Sequence, residues 1–95
     1  MPNIGPEIQV ACALIWRDRQ ILLSKRHQGA HQGGLWEFPG GKFESGEDPK
    51  SCLNRELEEE LGITPRESYF MFQIPWEYGD KSIRLWVYEV IEFDG

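Results

Sequence analysis

Residues 8–16 are apolar at nearly every position, with large and β-branched side chains alternating with alanine. This pattern predicts a central strand covered on both faces. Residues 17–20 are polar and predict a turn. Residues 21–26 predict a second strand, the hairpin partner of the first. The run 27–34 is rich in glycine and carries His27 and His31, so it reads as a loop. Residues 35–38 form a short extended piece that Pro39 stops. Gly40 and Gly41 predict a sharp bend, residues 42–44 another short extended segment, and Ser45-Gly46 a second turn.

The spacing then becomes helical. Residues 50–61 contain neither glycine nor proline, and Leu53, Leu57 and Leu61 recur every fourth position, which makes one apolar stripe. Asp48 suits the N-cap and Pro49 the first helical position, where its missing N–H costs nothing. Gly62 suits the left-handed residue that ends a helix. At about 100° per residue, Glu56, Glu59 and Glu60 fall on one face beside the leucine stripe, and Glu58 points away from them. Cys52 lies one turn before Glu56, where a small side chain permits close packing. Beyond Pro65, residues 69–78 and 83–93 predict two strands joined by a turn at 79–81. Strands before and after a single crossover helix define an α+β domain with a mixed sheet. Residues 1–6, with two prolines and a glycine, are a tail, and residues 7–95 are the domain.

Composition narrows the function. A chain of 95 residues is one domain, and 40% hydrophobic with 13% aromatic content is enough for one core. There is no apolar run near the ~18 residues of a membrane span, and the tail lacks the basic and apolar regions of a signal peptide, so a cytoplasmic protein is expected. Cys12 and Cys52 have no metal-ligand spacing and fit reduced core residues. A net charge of −6 argues against a broad nucleic-acid surface. It leaves room for a small phosphorylated ligand, because a divalent ion can invert the local field and bridge acids to phosphate.

Most of the net negative charge lies in residues 41–63, where Glu56, Glu58, Glu59 and Glu60 crowd one helix end. On its own a glutamate run is more often a solvated helix face. A cluster on one face, preceded by Glu47 and by an arginine able to hold a carboxylate bidentately, instead suits an oxygen-ligand site for Mg²⁺. Such an ion neutralises phosphate and acidifies a bound water, and phosphoryl chemistry asks for little more.

The spacing of Gly41, Glu47, Arg55-Glu56-Leu57, Glu59-Glu60 and Gly62-Ile63 resembles the Nudix box, G-x5-E-x7-R-E-U-x-E-E-x-G-U with U aliphatic, at every specified position. The segment 35–42 ahead of it, Lys25-Arg26 with His31, and the aromatic hairpin through Leu85-Trp86-Val87 are similar to the MutT-like branch. The resemblance covers roughly residues 8–95. It implies an enzyme that hydrolyses a nucleoside diphosphate linked to another group, by water attack on phosphorus with Mg²⁺ or Mn²⁺. It implies Glu56, Glu59, Glu60 and the Gly40 carbonyl as metal ligands, Glu47 as an assistant in their network, and Arg55 as the group that orients a box glutamate. Arg26, Lys42, Phe38 and His31 would lie around the nucleotide. Substrates in that branch include oxidised purine nucleoside triphosphates, cleaved to monophosphate and pyrophosphate, and a sister group acts on CTP. The family fold is an α/β/α sandwich that continues past the strand matching residues 83–93 with an acidic loop, a strand and a second helix. That part has no counterpart within residues 1–95. The expectation is therefore a C-terminally truncated Nudix domain whose open sheet face makes it a homodimer or higher assembly. The alternative is a weakly active or inactive module that binds metal or nucleotide and associates with itself or a partner.

Overall fold

The structure, a computed structural model, describes residues 7–25 and 36–95. Arg26, His27 and His31, assigned to the loop and substrate above, lie outside the described residues.

Strand β1 (Glu7–Arg17) is central. Along one side it pairs in parallel with β7 (Lys81–Asp94), from Glu7↔Ser82 to Ile15↔Val90. Along the other it pairs antiparallel first with β5 (Gly40–Lys42) and then with β2 (Gln20–Ile21). Strand β6 (Thr64–Tyr78) forms the sheet edge against β7. Strands β3 (Ser24–Lys25) and β4 (Trp36–Glu37) make a separate two-stranded ribbon. A mixed sheet with one helix is thus the observed fold, as the pattern predicts.

Three local expectations differ. Of the second predicted strand only Ile21 pairs with β1, together with Gln20 from the predicted turn, and the chain then leaves to make the ribbon with β4. Gly40 and Gly41 are not a bend. They form β5 with Lys42, the bend lies at Pro39, and residues 43–44 are not strand. Gly40 can do this because its φ of 154° and lack of Cβ let it lie flat on β1, where an added Cβ would meet the Ala11 carbonyl oxygen at 2.0 Å. Strand β6 begins at Thr64, earlier than predicted. As an edge strand it tolerates Pro65 and Pro75, which cannot donate to a ladder. Its hairpin with β7 closes through a two-residue turn with Gly79 at φ 63°.

Helix α1 (Pro49–Leu61) has the predicted ends. Asp48 Oδ1 accepts from the Ser51 N–H at 2.8 Å, which also holds the Asp48 carboxyl below its ordinary range. Gly62, at φ 70°, donates to the Glu58 carbonyl at 3.0 Å. Leu53 and Leu57 are fully buried against Ala11, Ala13, Ile15, Tyr88 and Val90. In the parallel register Ala11 lies beside Trp86 and Ala13 beside Tyr88, so on the core face small residues of β1 neighbour large ones of β7. The alanines let the helix approach closely. The same face carries a polar network near its open end. Arg84 Nε donates to both Glu7 carboxylate oxygens at 3.1 Å, Arg84 Nη1 donates to Gln73 at 2.8 Å, and Trp86 Nε1 donates to Gln9 at 2.6 Å. These bonds tie β1, β7 and β6 in register. No helix among the described residues is long and apolar enough to cross a membrane.

Candidate active site

Glu58, Glu59 and Glu60 occupy the last turn of α1, and that turn has no basic residue. The negative end of the helix dipole lies there, so each acid costs roughly 0.3–1 kcal/mol where a lysine would gain it. A helix that breaks this rule while its caps obey theirs keeps the acids for something other than stability.

Arg55 gathers the site. Its Nε donates to Glu47 Oε2 at 2.6 Å and its Nη2 to Glu47 Oε1 at 3.0 Å, a bidentate grip. Nη2 also donates to the Lys42 carbonyl at 3.0 Å, which fastens β5 to the helix. Nη1 donates to Glu56 Oε2 at 3.0 Å and Glu59 Oε1 at 3.2 Å, with Glu44 Oε2 3.5 Å away. Glu47 and Glu56 are mostly covered, with side chains 16% and 17% exposed, whereas Glu59 is 59% exposed. One edge of the guanidinium is therefore committed to Glu47 and the β5 backbone. The other faces two helix carboxylates at the solvent boundary.

The loop before the helix is fixed from both ends. Glu44 N–H donates to Glu47 Oε1 at 2.8 Å, and Glu47 N–H donates back to the Glu44 carbonyl at 3.0 Å across the turn at Ser45-Gly46. Gly41 lets the Glu56 carboxylate lie close over the β5 backbone: a Cβ there would sit 2.3 Å from the Glu56 carboxyl carbon and would push that carboxylate aside. Gly40 contributes its N–H, which donates to Glu60 Oε1 at 3.1 Å.

Of the residues singled out by sequence, Glu47, Arg55, Glu56 and Glu59 come together directly, and Glu60 joins through the Gly40 peptide. Lys42 takes part through its carbonyl while its side chain is exposed. Phe38, just ahead of β5, is 45% exposed. Arg26 and His31 lie outside the described residues. Glu44 was not singled out. It belongs to no fixed box position, and only its distance to Arg55 reveals it.

Every donor in the cluster is a hard carboxylate or peptide oxygen, and four carboxylates share one guanidinium. Chemistry and charge balance both fit a divalent cation. Among the described residues no three acidic side chains yet converge at metal-ligand spacing. The point on which Glu56 and Glu59 converge is held by Arg55 Nη1.

Glu47 carries the clearest electrostatic signature. The Arg55 hydrogen bonds, then the Glu44 backbone N–H, lower its pKa from 4.5 to about 2. A carboxyl with a depressed folded pKa stabilises the fold above its unfolded pKa, and that contribution fades as pH falls through the folded value. The expected result is an acid-unfolding curve with a component between pH 4.5 and about 2. Glu47→Gln should remove that component, as followed by circular dichroism. An unchanged acid limb in the variant would show that the Arg55–Glu47 grip does not form in solution.

The NUDIX domain family model matches residues 6–91. The chain is 37% identical over 90 residues to the 8-oxo-dGTP diphosphatase of Escherichia coli (strain K12), covering 94% of this chain and 70% of that protein. It is 41% identical over 88 residues to the CTP pyrophosphohydrolase of the same organism, covering 93% of this chain and 65% of that one. The crystal structure of a MutT NUDIX hydrolase from Burkholderia pseudomallei aligns with a TM-score of 0.87 at 31% identity, covering 96% of this chain and 71% of the other. The chain thus spans about two thirds of the length of these relatives. Box spacing, sheet, helix and family match agree: this chain belongs to the Nudix hydrolase family, in the MutT-like branch of nucleotide diphosphatases.

Proposed function

We propose that the protein is a Mg²⁺-dependent nucleoside triphosphate pyrophosphohydrolase, with Mn²⁺ able to substitute, acting on oxidised or otherwise non-standard NTPs or dNTPs. The observation that carries this reading is the array on Arg55: two helix carboxylates presented at the solvent boundary by an arginine that Glu47 holds from behind. The names of the two enzyme relatives, an 8-oxo-dGTP diphosphatase and a CTP pyrophosphohydrolase, point to the same class of substrate.

Glu56, Glu59 and Glu60, with the Gly40 peptide, would hold the ion. The bound ion would supply neutralisation of phosphate charge and acidification of a water. The remaining work falls to the chain. Glu47 keeps its bidentate hold on Arg55, so the guanidinium stays in place when Glu56 and Glu59 turn to other partners. A carboxylate of the α1 cluster accepts the proton of the attacking water. The new P–O bond forms as the anhydride P–O bond between the α- and β-phosphates breaks, the departing phosphate oxygen keeps the electron pair, and the products are a nucleoside monophosphate and pyrophosphate. Lys42, on the exposed side of β5, and Arg26 would meet the phosphates, and Phe38 and His31 would lie beside the nucleoside.

The test is pyrophosphate release with Mg²⁺ from a panel containing the four standard dNTPs, 8-oxo-dGTP and CTP. Turnover on at least one member, dependent on the metal, is expected. No turnover on any member, together with measurable metal binding, would favour a second reading in which the domain binds metal or nucleotide without cleaving it. One observation speaks for that reading: Arg55 Nη1 already occupies the convergence of Glu56 and Glu59.

We further infer that the protein self-associates through the sheet face opposite α1. The register places Phe72, Ile74 and Trp76 of β6 beside Val87, Leu85 and Ile83 of β7 on that face. The three β6 side chains are 43–57% exposed. Contiguous apolar area of this kind is typical of association surfaces. Sedimentation at tens of micromolar protein should show a dimer or larger species, and a single monomeric boundary would refute the inference.

A further inference from the structure

Cys52 lies outside every fixed position of the box, yet it touches most of what the site depends on. It is fully buried on α1, one turn before Arg55 and Glu56. Its Sγ lies 3.5 Å from the Gly41 carbonyl oxygen as a donor and 3.9 Å from Arg55 Nη2. The Gly41 peptide is therefore met by the helix at two points. The Glu56 carboxylate lies against its α-carbon, and Cys52 lies against its carbonyl. The next residue, Lys42, gives its carbonyl to Arg55. Burial pushes the Cys52 thiol up to about 11, so it stays a neutral donor at physiological pH.

We propose that Cys52 is a positioning residue: its small volume sets the separation between β5 and α1, and so places Gly41, Arg55 and Glu56 for the reaction. The physical reasoning is one of space. Cys52 is fully buried and its Sγ already lies against the Gly41 carbonyl, a backbone atom, and tightly packed interiors transmit an added carbon as a backbone shift. That shift would fall on β5, which is held by only three residue pairs with β1. It would move the Lys42 carbonyl off Arg55 and the Gly41 α-carbon off Glu56 together. Misplacement by about 1 Å can cost a hundredfold in rate even when the displaced group does no chemistry. The kinetic arm of the test rests on the proposed hydrolase activity, and the structural arm does not.

Cys52→Leu, Cys52→Val and Cys52→Ser are compared with Leu53→Ala, which opens a cavity at the neighbouring buried position in the core cluster. The first readout is the NMR signal of the Arg55 Nε–H, which its bond to Glu47 protects from exchange. It should disappear or shift strongly in Cys52→Leu, persist in Cys52→Ser, and persist in Leu53→Ala although that variant is less stable. The second is turnover. About a hundredfold loss in kcat with KM within threefold is expected for Cys52→Leu, with recovery to within threefold in Cys52→Ser. Should Cys52→Leu fail to fold, Cys52→Val, with a smaller addition, decides by the same readouts. A folded Leu or Val variant with the Arg55 signal intact overturns the proposal. So does loss of that signal in Leu53→Ala to the same degree, because Cys52 would then act only through general stability. If the wild type turns over no substrate, the hydrolase reading fails, and the Arg55 signal still decides the role of Cys52.

Discussion

Glu56→Gln is expected to lower metal-dependent pyrophosphate release by at least about a hundredfold while leaving the protein folded. Electrostatic stabilisation through a bound cation supplies several kcal/mol to a phosphoryl transition state, and each 1.36 kcal/mol is a factor of ten. Glutamine has the shape of glutamate, so its amide oxygen can still accept from Arg55 Nη1 and still fits against the bare α-carbon of Gly41. It lacks the charge that a metal ligand needs. The stability cost should be small, because glutamine keeps the hydrogen bond to Arg55 Nη1 and Arg55 keeps its bonds to Glu47 and Glu59. Glu58→Gln is the control. Glu58 is exposed, and its carbonyl caps Gly62 whatever its side chain, so its turnover should match the wild type. The decisive measurement is pyrophosphate release against Mg²⁺ concentration for the three proteins. Wild-type rates in Glu56→Gln would remove the helix carboxylates from the reaction and the proposed function with them.

The features legible in the sequence were those decided within a few residues. Asp48, Pro49 and Gly62 each act on their own helix end, so the bounds of α1 follow from local chemistry alone. The stripe of Leu53, Leu57 and Leu61 and the carboxylate face beside it follow from helical geometry. What lay beyond local reasoning was pairing between distant segments. Nothing near Gly40 announces that it lies on Ala11, so Gly40-Gly41 reads as a bend until β1 is placed beside it. Residues 21–26 read as one strand, but β1 takes only the first part, because β5 already occupies its edge further along. The same holds in the site. Box spacing brings out Glu47, Arg55, Glu56 and Glu59, and helical geometry puts Cys52 beside them as a small residue, whereas Glu44 and the contact of Cys52 with Gly41 emerge only when loop and helix meet. The Gly40 N–H bond to Glu60 is likewise visible only once β5 lies beside the helix.

The second large effect tests that long-range placement through stability. Gly40→Ala should destabilise the fold by more than about 3 kcal/mol, among the larger losses seen for single substitutions. The new Cβ would meet the Ala11 carbonyl oxygen at 2.0 Å and the Cys12 α-carbon at 2.6 Å. Both are backbone atoms of the central strand, so no side chain can rotate aside. Gly46→Ala is the matched comparison. Gly46 also has positive φ, at 82°, but a Cβ there meets nothing within 4 Å, so only the conformational cost of about 1–2 kcal/mol applies. Urea unfolding separates the two through their midpoints. The less costly escape for Gly40→Ala is to let β5 peel away from β1, surrendering the pairs Val10↔Lys42, Ala11↔Gly41 and Cys12↔Gly40. That route withdraws the Lys42 carbonyl from Arg55 and the Gly40 N–H from Glu60. Turnover should therefore fall even under conditions where Gly40→Ala remains folded, whereas Gly46→Ala keeps its activity for as long as it is folded. A Gly40→Ala protein as stable as the wild type would mean that β5 does not lie on β1, and the support beneath the carboxylate cluster would have to be built differently.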